Sequence, residues 1–238
     1  MEKTEVRKRE NGAVLLVHPD FSERVNSDWF RPEFWGNRAQ PVGSGGRGGA
    51  WFLDADGDRM VLRAYRRGGL IAKLSSNAYT YTREKQVRSF AEFRLLNQLV
   101  TMGLPVPRAI AAWYQKLSPV QYQAAIIVER LDDAVPLADI MADMSTDQWH
   151  ALGRLIRRFH DAGVRHADLN CFNVLVAAGE FHLIDFDKGQ IMPHGTSSRW
   201  KKANLDRFAR SLRKVAGDSF QQKVWKAFTH GYQGRPVA

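Results

Sequence analysis

The chain is poor in cysteine. Cys171 is the only one among 238 residues, so no intramolecular disulfide can form and no cysteine cluster can hold a metal. A reducing cytoplasm suits such a chain. No apolar run is long enough to cross a bilayer as a helix, which leaves attachment to a membrane surface open. The stretch Ala13–Val17 behind the charged N-terminus stops at His18-Pro19-Asp20, too short for a signal peptide, and implies no export. Acid is scarce as well: 25 Asp and Glu face 35 Lys and Arg, a formal charge of +10. A polyanionic partner is the natural complement, whether nucleic acid, anionic lipid or a phosphorylated substrate. The deficit is local. Eight basic residues oppose Glu84 alone between Arg59 and Arg88, and nine oppose Asp206 and Asp218 between Arg199 and Lys226. Aromatic stacking runs and a helix–turn–helix pattern are missing, so nucleic acid is not expected among the partners. Repeats and low-complexity segments are missing too. At 44% hydrophobic, the chain has material for one large domain or two small lobes.

Val42 to Tyr65 reads as a β-hairpin, the runs Ala50–Leu53 and Met60–Tyr65 being split by Asp54-Ala55-Asp56-Gly57-Asp58. A calcium loop is excluded there, because glycine is fourth rather than sixth and the twelfth residue is Tyr65. From Tyr81 to Met102, Phe90, Phe93, Leu96, Leu99 and Val100 recur at helical spacing, stopped by Gly103-Leu104-Pro105. Strands are expected at Ala109–Tyr114 and Ala124–Glu129. Beyond them Thr146–Gly163 and Asn204–Val215 carry helical stripes, with Asn204 as N-cap, around short strands Asn173–Val176 and His182–Ile184. A sheet-rich first part, residues 1–130, and a mostly helical second, residues 131–238, make a two-lobed α+β architecture hinged near Glu129–Asp133.

The strongest chemical signal is His166-Ala167-Asp168-Leu169-Asn170-Cys171-Phe172-Asn173, then a strand, then Leu183-Ile184-Asp185-Phe186-Asp187. Phosphoryl transfer needs a carboxylate to take the attacking hydroxyl's proton and oxygen ligands to hold Mg²⁺ against nucleotide phosphates. A loop Asp, an Asn five residues on and an Asp after the next strand supply all three. At these positions the chain resembles the protein-kinase-like superfamily. The resemblance implies a bilobal fold, ATP and Mg²⁺ as cofactors, Asp168 as base, Asn173 and Asp185 as metal ligands and His166 as structural. Cys171 is a bystander, since a catalytic thiol would need a base partner.

Gly43-Ser44-Gly45-Gly46-Arg47-Gly48-Gly49 contains a glycine pattern at Gly43, Gly45 and Gly48. A β-hairpin rather than a helix follows, as in the loop that covers the phosphates in kinases. Arg63 fills the superfamily's phosphate-contacting lysine position, with Lys73 as the other candidate, and Glu92 is the expected partner acid on the helix. The resemblance also sets Glu129 and Leu131, at the hinge, against the nucleotide.

Three departures argue against a protein acceptor. Ala167 replaces the arginine that grips a phosphorylated activation loop, Asp187 replaces a glycine, and only 53 residues follow Asp185. Together with Tyr65–Lys73, Gly103–Pro107 and Asn204–Lys214, these features resemble the bacterial lipopolysaccharide core kinases, most of all those acting on 3-deoxy-D-manno-octulosonic acid (Kdo). That resemblance implies transfer of the γ-phosphoryl of ATP to the Kdo 4-hydroxyl of a Kdo-lipid A precursor. It also implies a peripheral position at the cytoplasmic face of the bacterial inner membrane. Arg66, Arg67, Lys73, Arg199, Lys201 and Lys202 would dock the anionic acceptor and leaflet. Trp200 reads equally as an interfacial or a packing residue. Rival readings are a heptose or other small-molecule sugar kinase of the same fold, and an inactive membrane-binding relative.

Overall fold

The computed structural model describes residues 4–43, 49–65 and 78–235; Gly45, Gly48, Arg66, Arg67 and Lys73 lie outside them. The chain divides into two compact units, residues 1–98 with 107–130 and residues 99–106 with 131–238.

The first unit is built on an antiparallel sheet. Its strands are β1 (Val6–Glu10), β2 (Ala13–Val17), β3 (Ala39–Pro41), β4 (Ala50–Ala55), β5 (Asp58–Ala64), β6 (Tyr79–Thr80), β7 (Ala109–Ser118) and β8 (Gln121–Glu129). They run in the order β1-β2-β7-β8-β5-β4-β3, with β6 against β8. The β4–β5 hairpin is tighter than the sequence suggested: its strands reach Ala55 and Asp58, closed by Asp56 and Gly57 at φ 56° and 96°. Asp-Gly with both residues left-handed is the two-residue turn that matches strand twist. Asn11-Gly12, at φ 50° and 76°, closes β1–β2 in the same way. Met60 and Leu62 alternate into a core with Leu15, Val17, Trp29, Trp35 and Ile127, so the residues between them face the other side. That other face carries α2 (Arg88–Thr101), whose Phe90 and Phe93 are fully buried. The helix begins later than Tyr81, because a short 3-10 turn at Glu84–Gln86 precedes it.

The second unit is mostly helical. Its helices are α3 (Leu137–Ile140), α4 (Thr146–Asp161), α5 (Arg199–Ala216) and α6 (Asp218–Tyr232); the four-residue α1 (Pro32–Trp35) belongs to the first unit. Ser145 caps α4, accepting from Gln148 N while the Gln148 side chain accepts from Ser145 N. The small sheet of this unit orders β12 (Glu180–Leu183), β11 (Val174–Ala177) and β9 (Val135–Pro136), and β10 (Val164–Arg165) pairs with β13 (Gln190–Ile191). Helices α4 and α6 touch through Gly153 and Gly231, which leave no room for side chains between the two backbones. Asn204 is not an N-cap. The helix starts five residues earlier, at Arg199, and Asn204 lies buried in its interior.

Candidate active site

Asp168 sits in the loop between β10 and β11, and the loop is shaped by its own side chains. Asn170 Oδ1 accepts from the Phe172 and Asn173 amides at 2.8 and 3.1 Å, while its Nδ2 donates to the Asp168 carbonyl at 2.9 Å. Asn173 Nδ2 donates to the same carbonyl, also at 2.9 Å. With the amide nitrogen so engaged, Asn173 Oδ1 is the atom that could hold a metal. His166 Nδ1 accepts from the Asp168 amide at 3.1 Å, so Nε2 carries the proton and donates to the Ile184 carbonyl at 2.9 Å. Burial holds the His166 pKa below its ordinary value, in keeping with a neutral ring.

Ile184 N in turn donates to the Asn173 carbonyl at 3.1 Å, so the segment carrying Asp185 is tied to both ends of the Asp168 loop. Asp185 itself adopts φ +62°, a left-handed conformation that Asp tolerates better than most side chains. Its Oδ1 accepts from the Asp187 amide at 3.4 Å. Phe186 anchors the turn: it is fully buried, 4.6 Å from the His166 ring and stacked on Phe159. Asn173 and Asp185 offer hard oxygen donors and no soft ones, a set that fits Mg²⁺, whose remaining positions are ordinarily filled by phosphate oxygens and water.

One face of α5 holds this loop. Asn204 forms a reciprocal pair with His166, accepting from its amide at 3.2 Å and donating to its carbonyl at 2.8 Å. Arg207 Nη1 donates to Asp168 Oδ1 at 2.6 Å. Ser211 Oγ accepts from the Cys171 amide at 3.0 Å and donates to the Phe208 carbonyl at 2.9 Å. Positions 204, 207, 208 and 211 are the i, i+3, i+4 and i+7 of one helical stripe. Sequence reasoning used the apolar members of that helix and passed over Arg207 and Ser211; polar residues recurring on the apolar stripe were the available signal. Burial pushes the Cys171 thiol above its ordinary pKa, so it is no ready nucleophile.

In the first unit, strand alternation turns Arg63 toward α2. There the Arg63 guanidinium and the Tyr65 hydroxyl both bond the Glu92 carboxylate, which is only 3% exposed. Glu92 is therefore no solvated helix charge but a buried acid with a cation on it. Gly43 has φ +78°. Glu129 lies at the end of β8, exposed, its amide donating to the Arg108 carbonyl at 2.9 Å; Leu131 is half-buried and opens the second unit's main segment.

Of the remaining basic candidates, Arg199 and Lys202 are exposed at the start of α5. Lys202 pairs with Asp206 at 2.7 Å and Lys201 with Asp161 at 3.5 Å. Trp200 packs edge-on against His160, ring centres 5.1 Å apart, which makes it at least in part a packing residue. Among the described residues no helix is long and apolar enough to cross a membrane.

Comparison with known proteins places these observations. The model of the lipopolysaccharide kinase (Kdo/WaaP) family matches residues 32–232. A 3-deoxy-D-manno-octulosonic acid kinase of Xanthomonas euvesicatoria pv. vesicatoria (strain 85-10) is 42% identical over 95% of this chain and 90% of its own length. One of the same description from Xylella fastidiosa (strain M12) is 45% identical over 90% and 86%. Among solved structures, WaaP in complex with acyl carrier protein superposes with TM-score 0.59 at 20% identity, covering 93% of this chain and 89% of that one. An aminoglycoside-3'-phosphotransferase of type VIII gives 0.52 at 15% identity, over 84% and 88%. The α+β, bilobal protein-kinase-like fold is shared with both.

Proposed function

The chain belongs to the lipopolysaccharide kinase (Kdo/WaaP) family, and on that premise we propose that it moves the γ-phosphoryl group of ATP to the 4-hydroxyl of Kdo on a lipid A precursor. It is a phosphotransferase with an alcohol acceptor. The observation that carries the reading is the loop in which Asn173 and Asn170 together grip the Asp168 carbonyl, while Ile184 links that loop to Asp185.

In the proposed reaction Asp168 takes the proton of the acceptor hydroxyl as its oxygen bonds to the γ-phosphorus; the bond from that phosphorus to the β–γ bridging oxygen breaks, and ADP leaves. Asn173 Oδ1 and the Asp185 carboxylate would hold Mg²⁺, which when bound neutralises charge on the nucleotide phosphates. His166 moves no proton; as a neutral ring bonded to the Asp168 amide and the Ile184 carbonyl, it fixes the spacing of the two acidic segments. Arg63, steadied by Glu92, contacts nucleotide phosphate. Arg66, Arg67, Lys73, Arg199, Lys201 and Lys202 dock the anionic acceptor at the cytoplasmic face of the inner membrane, each worth about 1 kcal/mol near an anionic surface.

The deciding experiment supplies γ-labelled ATP with Kdo-lipid A precursor in one reaction and heptosylated core in another. Label in the first supports the acceptor; label confined to the second refutes it. The labelled product's linkage position, read by NMR, tests the 4-hydroxyl.

A further inference from the structure

Arg207 has no part in the reaction derived above, yet it touches the proposed base. Its Nη1 lies 2.6 Å from Asp168 Oδ1, and both side chains are about half exposed, 46% and 51%. An ion pair this exposed adds little to folding, so stability does not explain why a cation stands here. Nor is its position accidental. Asn204, one turn earlier on α5, is locked to the His166 backbone, and Ser211, one turn later, is bonded to Cys171, so the helix delivers the residue between them to Asp168.

The guanidinium has five N–H donors in a planar fork, and Asp168 engages it through one of its nitrogens. The acceptor proposed above is a ulosonic acid: its sugar carries a carboxylate on the anomeric carbon, two bonds along the ring from the carbon bearing the 4-hydroxyl. Offering that hydroxyl to Asp168 brings a second negative carboxylate close to the first. Without a cation between them the two acids would repel. A guanidinium already resting on the base, with donors to spare, is matched to a carboxylate in both charge and shape.

Resting on that acceptor reading, we infer that Arg207 is the residue that receives the acceptor's sugar carboxylate, and so selects an acidic sugar over a neutral one. Asp168 keeps the role of base. Arg207 bridges the two carboxylates and sets the acceptor's orientation.

The test uses the full chain and a synthetic lipid-anchored Kdo glycoside in two forms, the free acid and its methyl ester, with labelled ATP. The wild type should prefer the acid by about ten- to a hundredfold in kcat/KM, the range for a charge-assisted hydrogen-bonded contact. Most of the difference should appear in acceptor KM. Arg207→Gln should erase this preference, lowering kcat/KM for the acid about ten- to a hundredfold more than for the ester, and Arg207→Lys should restore part of it. The substitution is at an exposed site, and an unchanged KM for ATP certifies the fold. Three results would overturn the inference: equal wild-type rates on acid and ester, a preference that survives in Arg207→Gln, or an equal loss of kcat on both acceptors, which would mark Arg207 as a prop for Asp168 alone. A wild type that labels neither glycoside but labels heptosylated core removes the acceptor reading itself, and this inference with it.

Discussion

A β-carbon placed on Gly153 of α4 would overlap the carbonyl oxygen of Phe228 on α6 and come within 2.7 Å of the Tyr232 amide nitrogen. Gly231 answers from the opposite side, where a β-carbon would run into the backbone of His150. The helices therefore touch main chain to main chain, closer than ordinary side-chain packing allows. Gly153→Ala should cost about 3 kcal/mol or more by forcing the pair apart, lowering the melting temperature by roughly 10 °C for a chain of this size. Differential scanning calorimetry checks it; an unchanged Tm would mean that the contact is looser than described.

Asp168→Asn keeps the size of the side chain and removes its capacity to accept a proton. Turnover should fall by about two to four orders of magnitude, with affinity for a fluorescent ATP analogue nearly intact. Undiminished kcat would remove Asp168 from its proposed role.

Asn204→Ala strips partners from the His166 amide and carbonyl, in a place where both residues are almost fully buried. Two backbone groups left unpaired predict a loss of roughly 2–5 kcal/mol, read by urea denaturation, together with a lower kcat. Asn204→Asp keeps the acceptor for the His166 amide but loses the donor to its carbonyl, so an intermediate loss is expected.

His160 should make the fold sensitive to acid. Burial lowers its pKa to about 4. A folded-state value below the unfolded one, near 6.5, means that the unfolded chain binds the extra proton. The stabilising contribution is thus fully present above about pH 6.5 and drains away as pH falls toward 4, amounting to about 3 kcal/mol over that window. Urea unfolding between pH 7 and pH 4 measures the slope; in His160→Phe that part of the slope should disappear.

Much of this was legible in the sequence because it is local. The loop from His166 to Asn173 and the turn at Asp185 are set by neighbours a few residues away, through bonds such as those of Asn170 to Phe172 and Asn173. The pairing of Arg63 with Glu92, 29 residues apart, was legible only through the family resemblance. What escaped is long-range. Asn204 looked like a helix cap because its type favours caps, and its true partner lies 38 residues away. Arg207 read as one more cation in a basic run, since nothing in its vicinity announces Asp168, 39 residues upstream. The β1–β2 hairpin was missed for a different reason: its Asn11-Gly12 turn is as plain as that of Asp56-Gly57, but the run behind it was weighed only as a leader sequence.

The stripe of α5 that meets the loop links two properties usually assigned to separate parts of an enzyme. A shift of that rod along its axis would carry Asn204 and Arg207 together, disturbing the alignment of Asp168 and the cation beside it in a single movement. New acceptor preferences would therefore be easier to gain by exchanging the side chain at position 207 than by moving its support.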